Sequence, residues 1–161
     1  MSRILLTVDA YGGGTMIQRE LAKQKGFTLV ELAIVIVIIG VLASFGVPRF
    51  RDAVERSKAG EAMNYLSAIR ASQERYHAIY ATYANDPANL DVAFPNPKYF
   101  TIGVVGTGLT ADLESSWSLS LTRLGASAGY GPYTVTFTEQ GYDPVNSTLN
   151  AFPQINPLGS G

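Results

Sequence analysis

Hydrophobic and polar positions divide this chain into stretches with different rhythms. Residues 1–26 are mixed, with a Gly12-Gly13-Gly14 run and no apolar periodicity. From Phe27 to Pro48 the pattern becomes almost continuously apolar, and between Leu32 and Val47 no side chain is charged. The next stretch, from Arg49 to about Tyr80, is rich in Ala, Glu, Arg and Met. Val54, Met63, Leu66, Ile69, Tyr76 and Ile79 recur there at spacings that gather on one helix face. Asp52, Glu55, Arg56, Lys58, Glu61, Arg70 and Glu74 lie mostly elsewhere. The pattern predicts one amphipathic helix continuing from the apolar block and ended at Asn85-Asp86-Pro87.

Beyond a loop with three prolines, Pro87, Pro95 and Pro97, the period changes to two. Residues 100–104, 117–122 and 133–138 alternate apolar and polar, the last most cleanly. Each is predicted to be a strand with one face on a core and one in water, as an antiparallel sheet lying on a single helix requires. Residues 125–132 form the hairpin connection, and the tail from Gly141 onward shows little periodicity and no clear element. The expected fold class is α+β: a long N-terminal helix, apolar in its first half and amphipathic in its second, packed against a small antiparallel sheet. The expected divisions are 1–26, a segment to be processed; 27–48, the apolar helix; 49–84, the amphipathic helix half; and 85–161, a globular sheet region.

The apolar block is long enough to cross a membrane, since about 20 residues at 1.5 Å each span roughly 30 Å of hydrocarbon. Arg19, Lys23 and Lys25 precede it, which holds that end in the cytoplasm, and Arg49 and Arg51 follow it. An ordinary secretory signal places its cleavage site after the apolar run. Here the plausible junction, Gly26-Phe27, comes before it, so a cut there leaves the apolar segment on the mature chain. Two features do not suit a plain anchor. Glu31 is an ionisable residue inside a membrane segment, a functional candidate by default. Gly40 and Pro48 are helix-weakening residues, costing about 1 and about 3 kcal/mol inside a helix, and mark where it can kink or unwind.

Composition removes other chemistries. The 161 residues contain no cysteine, which excludes a disulfide framework, thiolate metal sites and a cysteine nucleophile. His77 is the only histidine, so a multi-histidine zinc site is impossible, and it reads as a helix residue beside Tyr76 and Tyr80. Gly103, Gly106 and Gly108 lack the lysine and following helix of a phosphate loop. Asp112, Glu114 and Asp143 do not have the spacing of a calcium loop. Asn146-Ser147-Thr148 fits the glycosylation pattern only weakly. No constellation of acid, base or ligands suggests an enzyme, and no cofactor or metal is expected. After Gly26 there are 8 Lys+Arg against 11 Asp+Glu, so no basic stripe argues for nucleic acid.

At Lys25-Gly26-Phe27-Thr28-Leu29-Val30-Glu31 the chain resembles the prepilin cleavage motif of type IV pilins and the related pseudopilins, and residues 32–48 are similar to their hydrophobic helix half. The resemblance implies cleavage after Gly26 by a prepilin peptidase, N-methylation of Phe27, and Glu31 as the assembly glutamate. It also implies that Gly40 and Pro48 bound the stretch where the helix unwinds in filaments. The leader is longer than the shortest of the family, and Met16 is an alternative start. The implied partners are further copies of the chain, other pilins, an inner-membrane assembly platform and membrane lipid. The implied location is the bacterial inner membrane, then a surface pilus or periplasmic filament. A pseudopilin of a type II secretion system shares the same N-terminus. A single-pass anchored binding protein that never polymerises is the rival of another class, and Glu31 with the Gly26-Phe27 junction argues against it.

Overall fold

A computed structural model describes residues 26–91, 93, 95–125 and 129–159. Residues 1–25 of the processing segment therefore lie outside the described residues, as does the middle of the 125–132 connection. The contacts separate an N-terminal unit ending at Ile39 from a second beginning at Gly40. Helix α1 spans Leu29–Tyr80, and an antiparallel sheet follows in the order β1 (Phe100–Ile102), β2 (Ser118–Arg123), β3 (Thr134–Thr138), β4 (Gly141–Tyr142). Long helix and antiparallel sheet together are the α+β arrangement the pattern of the sequence predicts.

α1 ends at Tyr80, short of Asn85-Asp86-Pro87, because Ala81 takes the left-handed conformation (φ 54°) while its N–H still bonds the His77 carbonyl. That conformation turns the chain out of the helix axis. Tyr83 and Ala84 then fold back into the core, where the Gln73 amide grips Ala84 through both its backbone groups, at 2.8 and 2.9 Å. In the second half of α1 the buried stripe is Glu55, Ala59, Ala62, Met63, Leu66, Ile69 and Gln73, at helical spacings of three and four. Val54 and Ile79, expected on that face, are exposed.

Strand registers follow side-chain alternation. β2 pairs Leu119 with Phe137 and Leu121 with Val135, and all four side chains are buried against α1 together with Trp117. β1 ends at Ile102 rather than Val104, and β2 runs one residue further than expected, to Arg123. β3 departs from simple alternation: Thr136 and Thr138, expected to be wet, are buried as well. The tail causes this. It adds β4 and a 3-10 turn at Thr148–Ala151, sets Leu149 and Ile155 into the core, and bonds Thr136 through Ser147 and Asn146. Leu121 is fully buried, so Leu121→Ala is expected to destabilise the fold by about 2–5 kcal/mol. A thermal melt of the detergent-solubilised chain checks this, and an unchanged melt would contradict the register.

At one end of the sheet the core is closed by charge. Glu55 and Arg123, both buried, form a forked pair, Nε to Oε1 at 2.5 Å and Nη2 to Oε2 at 3.3 Å. The Tyr133 hydroxyl donates to the same carboxylate at 3.1 Å, and Lys58 adds a contact at 3.2 Å. Arg123 also donates to the carbonyls of Leu124 and Tyr99. Burial pushes the Glu55 carboxyl up, but hydrogen bonds from Arg123, Lys58 and Tyr133 together with the Arg123 charge hold it below its ordinary value of 4.5. Burial, with the Glu55 charge behind it, pushes the Tyr133 phenol well above its ordinary value.

Candidate N-terminal assembly site

The first turn of α1 is built by Thr28 and Glu31. The Thr28 carbonyl accepts the first helical hydrogen bond, from Leu32, which makes Thr28 the N-cap. Its hydroxyl accepts from the Glu31 N–H at 3.1 Å, while a Glu31 carboxylate oxygen accepts from the Thr28 N–H at 3.1 Å. This reciprocal arrangement is a capping box. It satisfies two of the amides a helix start leaves without partners. The signal is legible as Thr28-Leu29-Val30-Glu31, a threonine followed three residues later by glutamate ahead of an apolar run. A reading of Glu31 as an isolated charge in an apolar segment passes over it. The box places the carboxylate one turn from Phe27.

From Leu29 to Val47 the helix is bare. Its most apolar 18-residue window has a mean hydropathy of 2.7 and is 0% buried among the described residues. Phe27, Leu29, Val30, Ile36, Val37, Leu42 and Phe45 are all more than 60% exposed. Covering a Val, Leu, Ile or Phe side chain is worth about 1.5–3 kcal/mol. A surface apolar on all sides therefore has a strong drive towards lipid or towards other helices. Gly40 and Pro48 both lie within α1, and the helix is unbroken through them in the single chain. Near Gly40 the Ser44 hydroxyl donates back to the Val41 carbonyl at 2.7 Å. No group of three or more His, Asp or Glu side chains able to hold a metal ion occurs among the described residues.

Other positions weighed in the sequence have local structural work. The segment from Gly103 to Gly106 runs against β2, where a side chain at Gly103 would meet the Ser120 carbonyl at 2.8 Å. Gly108 (φ 67°) turns that segment over Ser116. Asp112 caps the amide of Glu114, and Asp143 caps those of Val145 and Asn146. The lone His77 stacks on Tyr83 and bonds the Glu114 carbonyl at 2.9 Å.

Comparison with known proteins bears on the same N-terminal segment. A family model described as the prokaryotic N-terminal methylation motif matches residues 21–47. The chain is similar to fimbrial protein EcpC of Eikenella corrodens, 38% identical over 99 residues, 58% of this chain and 65% of that protein. It is also similar to the type IV narrow pilus major component PilA5 of Thermus thermophilus, 40% identical over 76 residues, 47% of this chain and 62% of that protein. In this stretch the chain is similar to type IV pilins. A third relative, type IV major fimbrial protein FimA of Dichelobacter nodosus, is 47% identical over 47 residues, 29% of each chain. The matched stretches thus cover less than two thirds of these pilins. Their names describe fimbrial and pilus proteins.

Proposed function

We propose that this chain is the structural subunit of a type IV pilus-like filament. A prepilin peptidase removes the leader between Gly26 and Phe27 and methylates the new amine. The apolar segment then holds the subunit in the bacterial inner membrane as a single-pass protein. An inner-membrane assembly platform passes it into a surface filament, where the apolar helices of successive copies cover one another. One observation carries the reading: a helix bare of any covering from Leu29 to Val47 begins at a capping box one turn from the junction. An anchor alone has no use for Glu31 or for a junction placed before the apolar run. The fimbrial and pilus names of the relatives favour a pilus over a secretion pseudopilus, which shares this N-terminus.

Intact-mass measurement on filament or membrane material tests the first step. The expected mature chain begins at Phe27 and carries one methyl group. A chain retaining Lys25 would overturn the cleavage, whereas a mass lacking the methyl group would overturn only the modification. Replacing Gly26 with a bulky residue is expected to leave the precursor in the membrane.

A further inference from the structure

Charge is segregated within the unit that begins at Gly40. Residues 49–61 with Lys98 and Arg123 hold six cations (Arg49, Arg51, Arg56, Lys58, Lys98, Arg123) against three acids (Asp52, Glu55, Glu61). The remainder of that unit holds two cations, Arg70 and Arg75, against seven acids. Two faces differ in the sign of their exposed charge. On the first, Tyr99 is ringed by Lys58 at 5.2 Å, Lys98 at 5.4 Å and Arg123 at 5.5 Å from its centroid. Glu55 answers Arg123 and Lys58, Glu61 accepts the Lys98 backbone N–H at 2.9 Å, and Lys98 itself is exposed. On the second, at the far end of α1, the exposed Glu74 lies one helical turn before His77, on which the loop of the exposed Asp112 and Glu114 docks through the Glu114 carbonyl. Burial first, then the charges of Glu74 and Glu139 with Arg70 opposing them, raises the Tyr83 phenol above its ordinary value.

The placement of the two faces matters as much as their sign. Lys58 and Glu74 are 16 residues apart on α1, roughly 24 Å along it and about 160° around it. They point to nearly opposite sides and cannot meet within one molecule. Complementary patches on opposite sides make a head-to-tail contact, which extends into an open chain of subunits instead of closing into a dimer. We propose that the Lys58–Lys98–Tyr99 face docks on the Glu74–Asp112–Glu114 face of a second copy of this chain, with subunits parallel and offset along α1. The inference rests on the filament reading and adds the partner surface and register of the folded heads. Exposed ion pairs are individually weak, so the contact selects register and partner more than it supplies affinity.

The test is charge exchange in the full chain, expressed in a host with pilin-processing and assembly machinery. Lys98→Glu sets acid against acid and is expected to lower sheared filament per cell at least threefold, with the melting curve unchanged. Glu74→Lys combined with Glu114→Lys reverses the other face and is expected to lower it similarly, an arm that does not depend on Lys98→Glu folding. All three substitutions together are expected to restore most of the yield. Normal yield from both reversed faces, or no recovery in the combined variant, would overturn the docking. So would a loss confined to Lys98→Glu that tracks weaker binding to vesicles containing anionic phospholipid, which would assign the basic face to lipid. An unaltered chain that forms no filaments would overturn the filament reading itself.

Discussion

Glu55→Ala is expected to destabilise the folded head by about 3–5 kcal/mol, because it strands the Arg123 guanidinium without its carboxylate in a site from which water is excluded. The cost comes from the uncompensated charge more than from any net value of the pair. Replacing Glu55 and Arg123 together by methionine is therefore expected to recover most of the loss. Denaturant melts of the detergent-solubilised chain give both numbers. A single-variant cost under about 1 kcal/mol would mean the pair is open to solvent. The same pair fixes the direction of the acid response. The folded pKa of Glu55 lies below its ordinary value, so its contribution is fully present above about pH 5 and fades as pH falls through the folded pKa. Glu55→Ala is expected to flatten that part of the stability profile.

Glu31→Ala is expected to abolish or strongly reduce filaments while leaving cleavage, membrane insertion and head stability close to unchanged. On the proposed reading, the carboxylate sits near the cytoplasmic edge of the bilayer before assembly, where snorkelling tolerates it. The proposed cleavage after Gly26 would give Phe27 a positive amine. Entry into an apolar core would bury both charges, each costing several kcal/mol alone and offsetting one another when amine and carboxylate come from neighbouring subunits. A slipped subunit leaves both unmatched, so the pairing also sets register. The capping box supplies a competing explanation, since Glu31 helps hold the first turn. Glu31→Gln separates the two. Glutamine can close the box but carries no charge. Filament loss in Glu31→Gln as severe as in Glu31→Ala would assign the effect to charge, and a normal yield would assign it to the cap. Loss of the Glu31→Ala chain from the membrane would refute the division between folding and assembly.

The parts of this protein that depend on one-dimensional pattern were legible in its sequence. Sixteen successive uncharged residues from Leu32 to Val47 are apolar on every face of a helix, so no phase has to be known. The three strands are written in period-two alternation that reports their core faces directly. Trp117, Leu119, Leu121, Val135 and Phe137 are buried as that alternation requires. Thr28 with Glu31 is equally local, and needs only the threonine and glutamate to be read together.

What contacts distant in sequence decide was not legible. Glu55 is charged and adjacent to Val54, so composition assigns it to the wet face; it is buried because β2 brings Arg123 to it from 68 residues away. Thr136 and Thr138 alternate like solvent-facing residues, yet the tail covers them, and that tail has no periodicity of its own. Its anchors, Leu149 and Ile155, are single apolar residues whose burial depends on a surface formed elsewhere in the chain. The two opposed charge faces are of the same kind: their residues are scattered from Lys58 to Arg123, and only folding gathers Lys58 and Arg123 onto Tyr99 and Glu114 onto His77. Sequence by itself determined the membrane-competent helix, its capping box and the inward faces of the strands, because each follows from spacing between near neighbours. Tertiary structure alone decided which charges are buried and which are presented, because desolvation depends on what covers a residue and not on its neighbours in the chain.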